Sequence, residues 1–185
     1  GRSLEQESRR TSCFGAWGML AAPRNYALDC LRERFPIPSD LPVVKCSNYL
    51  GDTLDIALSQ KFRSLLFVGH IGKLVKLAGG IMNTHSRMAD CRRELLCAHA
   101  ALCGADQEVC RALMNQPTTD GCLSVLTRAN LRDAVLDSLL QAIQFHLDRR
   151  VGGEMQAGAV IFTNDTGFLG MTEGAQPPLA RWKKL

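Results

Sequence analysis

The sequence has little of what several large classes of protein depend on. Only two tryptophans and two tyrosines occur among its 185 residues, which leaves little material for stacking nucleic-acid bases. No stretch approaches the roughly 20 consecutive apolar residues of a membrane span, and the amino-terminal segment is polar and charged. The net charge of +4 comes from basic residues that are spread along the chain. We therefore expect no nucleic-acid partner, no membrane association and a cytoplasmic location.

Recognisable cysteine patterns are also missing. None of the eight cysteines belongs to a C-x-x-C pair. Cys91, Cys97 and Cys103 are six residues apart, which turns their side chains about 120° from one another around a helix. We expect free thiols and no protein-bound metal. The G-x-S-x-G elbow of serine hydrolases is absent as well.

The patterns that are present alternate between short apolar runs and helical spacing. Strands are predicted at 43–46, 64–68 and 157–162. Helical spacing is found at 26–35, 48–58, 74–78, 86–103, 106–114, 123–126 and 130–147. This alternation is typical of βαβ units, and 185 residues suffice for one substantial core. The prediction is a three-layer α/β fold, with a mostly parallel sheet between flanking helices.

Polar residues at the predicted helix starts are interpreted as caps. Ser47 or Asn48 is expected to cap the helix that runs to Leu58, and Thr84 or Ser86 the helix that runs to Cys103. Asn130 with Asp133 is expected to start the long helix that follows. Gly104 is expected to end the helix that runs to Cys103.

The stretch from Ser64 to Asp90 contains most of the candidate functional residues. Gly69-His70-Ile71-Gly72-Lys73 is interpreted as a tight turn from a strand into a helix, with Lys73 and Lys76 on roughly one side. Glycines let a ligand approach free backbone N–H groups, and lysine adds positive charge, so the turn could hold an anion. It is neither a Walker A loop nor a G-x-G-x-x-G fingerprint. A plain turn with solvated lysines is the alternative.

A polar segment, Asn83 to Asp90, follows this turn, and six of its eight side chains can form hydrogen bonds. Helix capping accounts for Ser86 and Asp90, but it does not require His85 or Arg87. Imidazole can move a proton near neutral pH, and guanidinium can bind a carboxylate through two bonds. His85 is therefore the first choice among the four histidines.

Two of the candidate loops follow predicted strands. Cys46-Ser47-Asn48 comes after the first strand, and Gly69-His70 after the second. Ligands of parallel sheets bind beyond the carboxyl ends of the strands. We expect these two loops to lie at the same edge and to share a site.

The segment Val68 to Ser86, VGHIGKLVKLAGGIMNTHS, resembles the central signature of the CbiD family, together with Ala89-Asp90 and Arg93-Glu94. These proteins are the cobalt-precorrin-5B C1-methyltransferases of anaerobic cobalamin synthesis. Residues 45–51 resemble the family's preceding strand-to-helix segment, and residues 160–170 its closing strand and turn. The resemblance covers residues 42–172 and concerns the C-terminal part of a longer family. Two departures lie in Pro23-Arg24-Asn25-Tyr26-Ala27, where the family usually has Pro-Gly-Asn-Tyr-Gly.

The resemblance implies a domain organisation and an activity. Residues 1–22 would be a flexible segment, 23–172 a CbiD-like C-terminal α/β domain, and 173–185 a flexible tail. The implied reaction methylates C1 of cobalt-precorrin-5B to give cobalt-precorrin-6A, with S-adenosylmethionine as methyl donor. The acceptor is an anionic tetrapyrrole that brings its own cobalt, and a homo-oligomer is compatible with these expectations.

The same resemblance distributes roles over the candidate residues. His85 and His70 would be catalytic, by managing a proton or steadying the ring. The tetrapyrrole would be bound by Lys73, Lys76, Arg87, Thr84 and Ser86. The methyl donor would be held by Ser47, Asn48, Gly69, Gly72 and Asp90. No protein nucleophile is needed, because the attacking atom is a carbon of the macrocycle.

Two alternatives remain open from the sequence. The chain could be a catalytically incomplete module that binds the tetrapyrrole or the cofactor. It could also be a phosphate-ester or nucleotide enzyme that uses the turn from Gly69 to Lys73.

Overall fold

A five-stranded sheet runs through the protein in the computed structural model, which describes residues 18–23 and 26–183. The strands are β1 (Met19–Ala22), β2 (Val43–Lys45), β3 (Ser64–His70), β4 (Gln156–Thr163) and β5 (Gly167–Met171). Their order is β2-β1-β3-β4-β5, with β5 antiparallel to β4 and the other pairs parallel. The chain runs outward from β1 to β2 and then returns past β1 to β3. This change of direction makes the gap beyond β1 and β3 the expected ligand site.

Helices cover both faces of the sheet. They are α1 (Tyr26–Arg34), α2 (Leu50–Ser59), α3 (Ile71–Leu74), α4 (Arg92–Leu102), α5 (Gln107–Met114), α6 (Thr119–Arg128), α7 (Arg132–Val151) and α8 (Gln176–Trp182). Two 3-10 segments, Val75–Gly79 and Glu173–Ala175, extend α3 and precede α8. Within the described ranges, no helix combines the length and the apolar character that crossing a bilayer demands.

The alternation of side chains along β3 divides the core in two. Leu65 and Phe67 pack with residues of α2 and α4 to α7, whereas Leu66 and Val68 pack with residues of α1 and α8. Because both faces are covered, the strand is a continuous apolar run that is buried from Ser64 to Gly69. The three-layer α/β prediction is confirmed.

The three predicted strands are present, but β1 and β5 were missed. β1 is only four residues long and lies inside a longer apolar patch that lacks period-two alternation. It nevertheless pairs with both β2 and β3, so it is an inner strand of the sheet. β3 also continues through Gly69 to His70, and α3 begins at once with Ile71. The prediction that Gly69 belongs to a turn is therefore wrong.

The helix predicted at 86–103 is present, but its predicted start is wrong, because α4 begins only at Arg92. Residue 91, a cysteine, has left-handed backbone angles (φ 54°), which interrupt helical geometry immediately before Arg92. Residues 86–88 form a turn in which the Arg87 N–H donates to Nδ1 of His85 at 3.1 Å. The preceding polar segment is thus a loop and supplies no cap.

The side-chain caps predicted at the starts of α2 and α7 are absent, whereas Gly104 lies after the end of α4 as predicted. The cap position of α2 is occupied by Tyr49, which makes no side-chain cap, and Ser47 two residues earlier has a left-handed backbone (φ 50°). The cap position of α7 is occupied by Leu131, which also makes no side-chain cap, and Asn130 before it is left-handed (φ 55°). Gly104, with φ 94°, follows the end of α4 as expected.

The predicted flexible tail, 173–185, contains a 3-10 segment and α8 in the residues that the structure describes. Ala175 is fully buried, and α8 packs Leu179 and Trp182 against the face of the sheet that carries Leu66. Prolines at the first turn are compatible with a helix start, which the sequence interpretation overlooked. At the other end, residues 18–22 include the buried strand β1, and the remainder of the predicted flexible segment 1–22 lies outside the described residues. So do Arg24 and Asn25.

Candidate functional site

A pocket of about 440 Å³ opens beyond the carboxyl ends of β1, β3 and β4. Pro23 follows β1, His70 ends β3, and Asn164 follows β4. The lining residues are Pro23, Tyr26, Ala27, Gly69, His70, Gly72, Lys73, Arg92, Phe162 and Asn164. Its position coincides with the change in strand order between β1 and β3, where α/β sheets bind ligands.

His70 forms part of the pocket wall, and each of its two ring nitrogens faces another group of the protein. Its Nδ1 accepts a hydrogen bond from the Gly72 N–H at 3.0 Å and thereby caps α3. Its Nε2 is buried without a hydrogen-bond partner and lies 3.7 Å from Oδ2 of Asp120. Asp120 in turn accepts a hydrogen bond from the Thr163 hydroxyl. Both nitrogens are therefore directed at the protein.

Gly69 and Gly72 both have structural roles in the wall of the pocket. The N–H of Gly72 is donated to His70, so it is not directed at a ligand. A Cβ on Gly72 would lie 3.1 Å from Nδ1 of that ring, and a Cβ on Gly69 would lie 3.3 Å from Leu74. Both glycines line the pocket, and the N–H of Gly72 is already engaged within the protein.

The two predicted loops do share one edge of the sheet. Nζ of Lys73, a half-buried pocket residue, donates to the carbonyl oxygen of Ser47 at 3.3 Å. The loop of Asn48 is joined to Thr84 twice, by the Thr84 N–H to the Asn48 carbonyl at 2.9 Å and by the Thr84 hydroxyl to Asn48 Oδ1 at 3.3 Å. Ser47 and Asn48 therefore support the pocket from beside it, since neither is among its lining residues.

The spacing predicts Lys76 on roughly the same side as Lys73, but Lys73 lines the pocket and Lys76 does not. Only 2% of it is exposed, and its Nζ donates to the carbonyl oxygens of Thr84 (3.1 Å) and Ala89 (2.7 Å). Burial lowers the pKa of this lysine, while the charge of Asp90 acts in the opposite direction. The buried ammonium thus holds both ends of the 84–89 loop.

Asp90 and Arg92 form a two-point ion pair at the pocket. Nε of Arg92 lies 2.5 Å from Oδ1 of Asp90, and Nη2 lies 3.1 Å from Oδ2. The hydrogen bond from Arg92 holds the pKa of Asp90 below its ordinary value. Arg92 lines the pocket, whereas Asp90 touches it only through this partner.

His85, Ser86 and Arg87 lie together on the exposed face of the loop. None of them is among the residues that line the pocket. Nδ1 of His85 accepts a hydrogen bond from the backbone N–H of Arg87. The backbone N–H of His85 donates to Oδ1 of Asn83 at 3.1 Å. The loop is thereby folded on itself, next to the residues that hold Arg92.

His99 and the free thiols lie outside the pocket lining. His99 lies 2.7 Å from the Ser138 hydroxyl, and burial lowers its pKa. Burial raises the pKa of Cys46 to about 12, which keeps this thiol protonated and unreactive. All seven cysteines between residues 30 and 122 are free thiols. In the described part of the chain, no three potential metal ligands come together.

Several pocket residues were missed in the sequence. Tyr26, Phe162, Asn164 and Arg92 line the pocket, and Asp120 lies beneath it. Tyr26 and Phe162 are separated by more than 130 positions, so only the parallel sheet brings them to one edge. Arg92 could have been predicted as a candidate site residue from its position two residues after Asp90, the last residue of the polar segment.

Comparison with known proteins identifies the family. Residues 83–173 match the family model described as CbiD, C-terminal domain. A cobalt-precorrin-5B C(1)-methyltransferase from Ruminiclostridium cellulolyticum is 46% identical over 145 residues, which cover 78% of this chain and 38% of that protein. Proteins of the same name from Alkaliphilus metalliredigens and Photorhabdus laumondii are 37% and 34% identical, over 80% and 91% of this chain and 38% and 45% of their own lengths.

The chain thus spans about two fifths of the length of the curated relatives that it matches. No solved structure matches it. The family model, the similarity to these relatives and the order of the three resembling segments agree with one another. The chain belongs to the CbiD family, whose C-terminal domain it contains at residues 83–173.

Proposed function

We propose that this protein takes part in methyl transfer to C1 of cobalt-precorrin-5B, the activity for which its relatives are named, and that S-adenosylmethionine is the methyl donor. The observation that carries the proposal is the pocket at the change in strand order. It combines two cationic side chains, Lys73 and Arg92, with aromatic ones, Tyr26 and Phe162. This combination suits a ligand that has both carboxylate and ring systems.

The pocket fits the methyl donor in size and in chemistry. Its volume of about 440 Å³ is within the range of cofactor sites. Tyr26, which is 54% exposed, offers a ring face to an adenine or to a sulfonium cation, and Arg92 offers donors to the amino-acid carboxylate. When bound, S-adenosylmethionine supplies an electrophilic methyl group.

The chain's own residues would position the reactants and exclude water. Pro23, Ala27 and Phe162 form an apolar part of the wall, and Phe162 is 2% exposed. His70, hydrogen-bonded at Nδ1 and facing Asp120 with Nε2, would complete that wall. Alignment of this kind can account for a large share of the rate when no protein nucleophile takes part.

The tetrapyrrole is larger than the pocket, and we place it over the pocket's rim. Arg87 and Ser86, exposed on the 84–89 loop, would contact its acetate and propionate groups, and Lys73 would reach it from the pocket. Lys76 and Thr84 would support this loop from inside, because their polar groups are already bonded to the protein. His85 is the histidine whose Nε2 could face the acceptor.

A binding role without turnover is the second candidate. The observation that favours it is that both ring nitrogens of His70, the histidine of the pocket lining, face the protein and not the pocket. A nucleotide or phosphate-ester enzyme is less favoured, because the N–H of Gly72 is donated to His70.

The decisive experiment measures binding and turnover separately. The protein is titrated with S-adenosylmethionine and with cobalt-precorrin-5B, and methyl transfer is followed with labelled donor beside the full-length Ruminiclostridium cellulolyticum relative. Binding and transfer would support the leading proposal, and binding without transfer would support the second candidate. Failure to bind either ligand, while the relative is active, would overturn both. Arg128→Gln, at an exposed arginine outside the pocket lining, provides the control.

A further inference from the structure

The Asp90 and Arg92 pair is built into the pocket in an asymmetric way. Asp90 engages Nε and Nη2 of the guanidinium and leaves Nη1 outside the pair. The arginine lines the pocket, while its carboxylate partner is set back from it. A guanidinium held along one edge is pre-oriented, so it loses less freedom when its other edge binds a ligand.

The support for this pair extends further into the protein. Asp90 follows Ala89, whose carbonyl oxygen accepts the 2.7 Å hydrogen bond from Lys76. Lys76 is 2% exposed, so the backbone beside Asp90 is held from within the core. Arg92 then opens α4, whose Leu96 and Ala100 are fully buried. Both ends of the pair are therefore fixed to rigid parts of the fold.

We propose that Arg92 is the pocket's receptor for a ligand carboxylate and that Asp90 is the residue that positions it. This inference rests on the proposed function and assigns to Asp90 an indirect role in place of direct contact with the methyl donor. The carboxylate could belong to the amino-acid part of the donor or to a side chain of the tetrapyrrole. Both sources present the same planar anion, which a guanidinium binds through two parallel hydrogen bonds.

Two matched pairs of probes separate the sources. S-adenosylmethionine is compared with its decarboxylated form, and cobyrinic acid, which carries carboxylates, with cobinamide, whose equivalent groups are amides. Dissociation constants are measured for the unmodified protein, Arg92→Gln and Arg92→Lys, with Arg93→Gln as control. Arg93 is the next residue of α4, donates to the Met114 carbonyl at 2.9 Å, and does not line the pocket.

Arg92→Gln should weaken binding of one carboxylate probe by about 10-fold or more, as expected for loss of a charged bond, and leave its carboxylate-free partner within about twofold. The probe affected identifies the source. Arg92→Lys should recover only part of the loss, because an ammonium cannot bind in the planar two-point manner. Equal, small effects on all four probes would overturn the role of Arg92.

Asp90→Asn tests the positioning role by the sign of its effect. If Asp90 orients Arg92, this variant weakens the same carboxylate probe and spares its partner. If Asp90 instead competes with the ligand, binding tightens and the positioning role is overturned. A protein that binds none of the probes before mutation would contradict the proposed function itself, whereas intact binding that ignores Arg92 would contradict only this inference. Unchanged far-ultraviolet circular dichroism verifies that each variant folds.

Discussion

Nε2 of His70 lies 3.7 Å from Oδ2 of Asp120, where the end of β3 meets the first turn of α6. The other nitrogen of the ring accepts the Gly72 N–H, so the neutral imidazole carries its hydrogen on Nε2. The resulting arrangement joins β3, α6 and, through the Thr163 hydroxyl, β4. The ring and Asp120 together therefore link three elements at the base of the pocket.

Replacement of His70 should separate a structural role from a chemical one. Asparagine can accept the Gly72 N–H in the same capping position, whereas alanine cannot. We expect His70→Ala to lower the free energy of unfolding by about 1 kcal/mol more than His70→Asn does, measured by urea denaturation. His70→Asn should keep methyl transfer within about tenfold of the unmodified protein. A loss of about 100-fold or more, the scale of general acid or base catalysis, would contradict the structural role.

Lys76→Met should loosen the 84–89 loop without unfolding the core. Methionine has a similar volume, but it leaves the carbonyls of Thr84 and Ala89 without their charged donor. The free energy of unfolding should fall by about 1.5–3 kcal/mol. Hydrogen exchange followed by mass spectrometry should show faster exchange in residues 84–90. Lys73→Met, at a half-buried lysine three residues earlier, should change the exchange of that loop much less.

The Asp90 and Arg92 pair should contribute to stability above the acid range. Arg92 lowers the pKa of Asp90 below its ordinary 3.8, so the folded protein favours the ionised carboxylate. This contribution is present above the unfolded pKa and is lost as the pH falls through the folded one. Because the pair is partly exposed, it amounts to about 0.2–1 kcal/mol.

The measurement is the free energy of unfolding at a series of pH values from about 5 to about 3. Asp90→Asn should flatten the dependence over this window, and Arg92→Gln should flatten it by a similar amount, since it removes the cause of the shift. Retention of the full slope in Arg92→Gln would contradict this explanation.

Trp182 should contribute strongly to stability although it lies near the carboxyl end. Its side chain is 2% exposed and would contact a Cβ placed on Gly18, beside β1. Trp182→Ala should lower the free energy of unfolding by about 3–5 kcal/mol because it leaves a large cavity. Arg181→Ala, at an exposed neighbour, should cost less than about 1 kcal/mol in the same urea denaturation. Equal costs for the two variants would mean that α8 does not pack against the sheet in solution.

The sequence by itself determined the layer architecture and the region of the site. Apolar runs predicted β3 and β4, because the strands of a sheet that is covered on both faces are apolar throughout. Helical spacing of apolar residues predicted α7. The resemblance in residues 68–86 identified the family that the comparisons establish. The positions of Cys46-Ser47-Asn48 and Gly69-His70 after predicted strands also predicted correctly that these two loops lie at one edge of the sheet.

Only the tertiary structure decided which polar residues lie in the pocket and which support it. Lys73 and Lys76 carry the same charge three positions apart, yet the first lines the pocket and the second is buried under the loop. A helical spacing rule could not separate them, because the chain passes from α3 into a 3-10 segment between them. The left-handed backbone at residue 91 positions Arg92 at the pocket, and the pairing of β4 with β3 positions Phe162 there. Local pattern specifies which elements form, but side-chain direction at their ends depends on backbone angles and packing partners that are distant in the sequence.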